Sequence, residues 1–271
     1  MNDFLLRPAA AADAPDIIEI WSHSFGDPPE FVSALLDEAT LLPCALCAEA
    51  EGRVKSVMFA FEGLSLGGRS AAYLYALCTA PEARGYGMGR AVISAMAQRC
   101  FDRGAEIVVL SPANDGLAAW YERILGTKPM AAYADTLQPL EASGAVCTPL
   151  RAAEYLALRQ NAAGVTRQLL CAQDVLHRFF GGGFFRVEKD GATALACAEP
   201  TENGLLLREL ICPEALRPAA AAAVAAYFGA DRVLLRSVAG IGQNLVYISE
   251  TGNYDKTVIF LDIPRFFYTL E

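Results

Sequence analysis

Histidine is scarce: His23 and His177 are the only two in 271 residues, and neither stands near a Ser or Cys motif. A hydrolase driven by a histidine base is therefore a poor fit. Long apolar runs are missing too, and nothing approaches the roughly 20 residues a membrane-spanning helix needs. The chain opens straight into a strand and a capped helix rather than a signal peptide, so a cytoplasmic location is expected. Clusters of Lys and Arg are absent, and the formal charge is −9. The excess sits in the first half, with 18 acids against 10 bases through Ala145 and 13 against 12 afterwards. This excludes nucleic acid as the expected partner, because phosphates demand concentrated positive charge. An acidic half can steer a cationic substrate or simply keep the protein soluble, and both readings stand. The eight cysteines are scattered through apolar runs, and Cys44-Ala-Leu-Cys47 has no second pair to complete a zinc site. They read as reduced core residues, with no metal expected.

What is present is hydrophobic patterning of two kinds. Phe4 to Arg7 reads as a strand, and Asp13-Ala-Pro-Asp16 marks a helix start with Asp13 as N-cap. A short helix is expected from Pro29 through Leu36. Cys44 to Ala50, Val54 to Glu62 and Ser70 to Thr79 form an antiparallel meander. Ile93, Met96, Ala97 and Cys100 have the i, i+3, i+4, i+7 spacing of a helix lying on a sheet. Glu106 to Ser111 is a strand, Asp115 opens a helix that Gly126 stops, and Lys128 to Leu137 closes the half as a strand.

A weakly patterned connection from Gln138 to Thr148 marks the boundary between a first domain, 1–140, and a second, 148–271. The second repeats the plan: helices at Ala152 to Gln160 and Thr166 to Phe180, then strands at Phe184 to Glu188, Thr193 to Ala198 and Leu205 to Ile211. An Ala-rich helix (Pro213 to Phe228) and a strand (Asp231 to Arg236) follow. The expected class is α/β (α+β), a mixed, mostly antiparallel sheet flanked by helices, in two tandem domains.

Between the third meander strand and its helix stands Arg84-Gly-Tyr-Gly-Met-Gly-Arg90. Glycines that empty a strand into a helix N-terminus suit an anion, since backbone N–H groups converge there and the helix dipole adds partial positive charge. The loop has no Gly-Lys-Ser/Thr, so it is not a Walker A site, and it does not follow the first strand of a βαβ unit as a Rossmann fingerprint does. At the matching place the second half has Cys212-Pro-Glu-Ala-Leu-Arg-Pro218, with no glycine and two prolines, and cannot cradle a pyrophosphate in that way. It reads as scaffold or as a wall of the acceptor site.

The stretch Thr79-Ala-Pro-Glu-Ala-Arg-Gly-Tyr-Gly-Met-Gly-Arg90 resembles the signature of the GNAT family of acetyl-CoA-dependent N-acyltransferases, Arg/Gln-x-x-Gly-x-Gly/Ala, as Arg84, Gly87 and Gly89. A second block, Ser111-Pro-Ala-Asn114 followed by Ala118-Ala-Trp-Tyr121-Glu-Arg-Ile-Leu-Gly126, is similar to that family's later strand and helix with its tyrosine. The likeness covers residues 4 to 138. The tandem layout resembles the enhanced-intracellular-survival group of aminoglycoside and lysine acetyltransferases. That group carries a further sterol-carrier-like domain and uses a terminal carboxylate, and this chain, ending at Glu271, is too short for that domain.

The resemblance implies roles. Backbone N–H groups from Gly85, Tyr86, Gly87, Met88, Gly89 and Arg90, with Arg84, would hold the pyrophosphate of acetyl-CoA. Leu77, Cys78 and Thr79 would pair through their main chains with the pantetheine arm, and Asn114 would contact the cofactor beyond. Tyr121 would protonate the leaving thiolate, which its unperturbed pKa near 10 allows; it also lies on the apolar stripe of its helix, where packing alone would explain it. Glu62 is a candidate base and Cys78 only lines the site. The implied activity is direct transfer of an acetyl group from acetyl-CoA to a primary amine of a small molecule or a lysine. The alternative is a non-catalytic acyl-CoA-binding regulatory protein. Neither nucleic acid nor membrane is an expected partner, and a homo-oligomer is left open.

Overall fold

A computed structural model describes residues 3–39, 41–66, 68–140, 144–159 and 167–249, with backbone alone for 167–168 and 238–245. Strand β1 (Leu5–Pro8) leads through a 3-10 turn into α1 (Ala14–Phe25) and α2 (Pro29–Asp37). The meander follows as β2 (Ala45–Ala50), β3 (Arg53–Leu66) and β4 (Arg69–Thr79). Then come α3 (Met88–Asp102), β5 (Ile107–Leu110), α4 (Asp115–Leu125) and β6 (Lys128–Leu137). The second half holds β7 (Val146–Leu150), α5 (Ala152–Leu158), α6 (Arg167–Phe180), β8 (Gly183–Lys189), β9 (Ala192–Thr201), β10 (Gly204–Ile211), α7 (Arg217–Phe228) and β11 (Val233–Ser249).

All these strands lie in one sheet, in the order β1-β2-β3-β4-β5-β11-β10-β9-β8-β7, with β6 pairing on β11. Most neighbours are antiparallel. The two parallel pairs, β4 with β5 and β10 with β11, hold equivalent places in the two halves. The expected mixed, mostly antiparallel sheet in two tandem units is therefore what forms.

Three expectations change. Val146–Leu150, whose first residues fall in the expected connection from Gln138 to Thr148, is a strand that pairs with β8 from Val146↔Glu188 to Leu150↔Phe184. Its Pro149 and its position at the end of the strand order weakened the sequence signal, as edge strands tolerate proline. The last strand runs on past Arg236 to Ser249, and its far end pairs with β5 of the first half, Val246↔Leu110 to Ser249↔Ile107. Asp13 also departs from its expected role. It stands at the N-cap position but makes no side-chain cap bond. Its carboxylate instead takes two bonds from Arg7 (2.6 and 2.8 Å) and one from the Ala10 N–H (2.7 Å), and these hold its pKa below the ordinary carboxylate value.

Val57, Met58, Phe59, Ala60 and Phe61 of β3 are all at most 2 % exposed, so both sheet faces are covered there. Successive side chains of a strand point to opposite faces. The main core runs from α1 and α3 across the sheet into Tyr155, Leu169 and Phe184 of the second half. A smaller core lies beneath α7, where alanines bring the helix close to Leu205, Leu207 and Val233. Among the described residues no helix is long and apolar enough to cross a membrane.

Candidate active site

The site begins where β4 and β5 part. Their parallel pairing stops at Leu74↔Leu110, so Tyr75–Thr79 and Ser111–Asn114 diverge beyond it. On its other edge β4 pairs with β3, but Tyr75 faces Phe59 and Cys78 faces Val57, which leaves Ala76 and Leu77 opposite the single residue Met58. Ala76 takes φ +52° to make this bulge, a left-handed conformation that non-glycine residues adopt at a cost. The bulge re-aims the main chain of Leu77 and Cys78 at the mouth of the splay.

At the end of β4, Gly85 and Gly87 have φ +83° and +85°, and a Cβ on either would meet nothing within 4 Å. Their glycine character serves backbone conformation rather than space. Gly87 is the N-cap of α3 and offers no side-chain cap to its first turn, a geometry that can accept an anion. Gly89 differs: a Cβ there would lie 3.0 Å from Thr79 Oγ1. That hydroxyl is in turn 2.9 Å from Ser56 Oγ. Arg84 donates from Nε to the Thr79 carbonyl (3.1 Å), which fastens the loop to its strand.

One cavity of about 1640 Å³ joins these parts. It is lined by Leu77, Cys78, Thr79, Arg84, Gly85, Gly87, Met88, Gly89 and Arg90, by Asn114, and by Tyr121. Tyr86 is not a lining residue, and its side chain is 59 % exposed. Cys78 is buried, and burial pushes its thiol well above the ordinary range; a thiol so held is a poor nucleophile. Asn114 caps α4, its Oδ1 accepting from the Leu117 N–H at 2.9 Å. Tyr121 is buried with its ring edge-on to Trp120, and burial raises its phenol pKa. Tyr121 packs in the core and also lines the cavity.

Glu62 lies elsewhere. Its carboxylate is bound by Arg103 at 3.0 and 3.2 Å and is not among the lining groups. The carboxylates that do line the cavity are Asp27, which accepts from the Trp21 indole N–H at 2.7 Å, and Glu199 of the second half. Tyr75 stacks edge-on against Trp21 and leans on Phe61. From the second half come also Leu176, His177, Phe180, Gly182, Pro200 and Arg208. Sequence reasoning missed all of these as site residues. One signal was available: Arg208 and Glu209 interrupt the apolar run Leu205 to Ile211, and a buried charged pair in a strand needs a reason.

Residues 10–127 match the profile of the acetyltransferase (GNAT) family. That stretch is similar to the domains of this family. No curated protein matches the sequence. Among solved structures, a GCN5-related N-acetyltransferase from Anabaena variabilis ATCC 29413 superposes with a TM-score of 0.67 at 17 % identity, covering 90 % of this chain and 72 % of that one. Eis1 from Mycobacterium abscessus gives 0.62 at 14 %, covering 91 % and 73 %. A GCN5-related N-acetyltransferase from Sphaerobacter thermophilus gives 0.54 at 17 %, covering 93 % and 97 %. At these identities the likeness is one of fold, and it extends across both halves of the chain.

Proposed function

We propose that this chain is an N-acetyltransferase that holds acetyl-CoA along residues 77–90 and passes the acetyl group directly to a primary amine of a small molecule or a lysine side chain. The observation that carries the reading is the opening of the anion cradle at the start of α3 into the same cavity as the Tyr121 ring. The residues suit the cofactor. N–H groups from Gly85 to Arg90 would take the pyrophosphate, with Arg84 and Arg90 exposed beside them. The bulged main chain of Leu77 and Cys78, with Thr79, would take the pantetheine amides, and Asn114 would sit farther along. Bound there, acetyl-CoA supplies an acetyl group activated as a thioester.

The protein's part is to orient, to exclude water and to hold a proton. The apolar walls remove solvent, which strengthens every polar contact inside. Tyr121 keeps its proton on the hydroxyl oxygen because burial disfavours the phenolate. That proton is what a departing thiolate needs at neutral pH, and the amine, attacking in its neutral form, returns one proton to the Tyr121 oxygen as the amide forms, so that amine and thioester give amide and thiol. The domain division at 140–148 goes with this reading, the first half binding the cofactor. The corresponding turn of the second half, Glu214–Leu216, enters α7 with Pro218 in its first turn, where proline removes a donor.

Calorimetry with acetyl-CoA, followed by a free-thiol assay over a panel of amines, tests the proposal. Uptake with turnover is expected. Uptake with no turnover on any amine would favour a regulatory acyl-CoA binder, and no uptake would overturn both.

A further inference from the structure

The part of the cavity wall supplied by the second half is charged. Arg208 and Glu199 form an ion pair there, Nε to Oε2 at 2.7 Å, with side chains 6 % and 14 % exposed. Asp27 lines the same cavity, and its charge and that of Arg208 both act on the Tyr75 phenol.

Arg208 reaches this place through a break in the ladder. Leu207 pairs with Ala198 and Glu209 with Cys197, so Arg208 is an extra residue opposite neither. Leu205 and Leu207 lie in the core under α7, and Leu210 packs on that core again. In a regular strand Glu209 would share their face. Instead it meets Tyr155 and Arg159 of the α5 segment, while Arg208 lines the cavity. The extra residue thus puts two consecutive charged side chains on one face of an otherwise apolar strand. A bulge is a usual device for aiming a side chain at a site.

We infer that the acceptor is a diamino monocarboxylic acid, its carboxylate taken by Arg208 and its α-ammonium by Glu199, with the side-chain amine left to be acetylated. The inference deepens the acetyltransferase reading and rests on it. Glu199 complements an ammonium group and Arg208 a carboxylate, and Asp27 adds a second acid to the same cavity wall. Arginine suits a carboxylate because its planar fork donates in parallel. The resident Arg208–Glu199 pair keeps both charges compensated until the ligand's own ions exchange with it. A plain diamine brings two cations to Arg208 and no anion. Rejection by a buried charge lacking its complement is the strong kind of discrimination.

The test compares matched acceptors on the whole protein: lysine against cadaverine, ornithine against putrescine, and lysine against lysinamide. Lysine and ornithine should exceed their diamines by at least about tenfold in kcat/KM. Arg208→Gln should collapse that ratio toward one while leaving calorimetric uptake of acetyl-CoA within about twofold. If acetyl-CoA binds and diamines or lysinamide turn over as well as lysine, the inference falls and the acetyltransferase reading stands. If acetyl-CoA does not bind, both fall. Should Arg208→Gln not fold, the wild-type ratios decide alone.

Discussion

At the scale of single residues, placement decides chemistry. Tyr121 was legible as the aromatic of a family-like block, but its burial and its place on the cavity wall needed coordinates. Tyr121→Phe is expected to lower kcat by about 10²–10⁴ while acetyl-CoA affinity in calorimetry stays within about twofold. A fall in affinity with kcat intact would mark it as packing alone. His177, one of the two histidines that looked unremarkable in sequence, is buried beside Gln173 Nε2 (2.9 Å) and Cys197. Burial, with Arg208 adding to it, depresses its pKa from 6.5 to about 3. Between those values the unfolded chain binds a proton that the folded one refuses, so this group's contribution is complete above pH 6.5 and is lost as pH falls toward 3. Urea unfolding of wild type and His177→Asn at pH 7.5 and 4.5 should show the wild type losing about 2 kcal/mol more over that interval.

At the scale of elements, the glycine loop was readable because its constraint is local. A strand, two left-handed turns and a helix N-terminus leave a residue-type signature. Gly87→Ala forces a side chain into φ +85° at the N-cap of α3 and should cost about 1–2 kcal/mol of stability, with weaker acetyl-CoA binding by calorimetry. Gly89→Ala has ordinary backbone but presses on Thr79 Oγ1, so its effect should appear in loop position and affinity rather than in a strained φ. The bulges at Ala76 and at Arg208 were not readable, because they exist only in the register between strands. Glu209, pushed to the α5 face by the second bulge, is bound by Arg159 at 2.6 Å with both side chains nearly fully buried, and it accepts from Tyr155 at 2.7 Å. Arg159→Met strands that carboxylate and should cost about 3–5 kcal/mol in denaturant unfolding. Adding Glu209→Leu should recover much of the loss.

At the scale of the whole molecule, the two halves are joined rather than tethered. β11 lies parallel to β10 at its start and antiparallel to β5 at its end, and β6 runs beside it from Leu137↔Leu234 to Lys128↔Tyr247. α6 packs on α2 through Phe179 and Phe180 against Phe31, with Arg178 paired to Glu38. A fragment of residues 1–140 would leave the β5 and β6 edges open and its core uncovered, which favours aggregation. It should be insoluble or lack cooperative unfolding by circular dichroism, whereas the whole chain should unfold in one main transition.

Residue order alone determined the alternation of strands and helices, the glycine loop at 84–90 and the tandem plan, because hydrophobic period, caps and glycine conformation act within a few neighbouring residues. Only the tertiary structure decided that the second half walls the site, that Glu62 lies outside it, and that Asp27, Glu199 and Arg208 share one cavity. Those facts depend on strand register and sheet order between segments from about forty to more than a hundred residues apart, where local pattern has no hold.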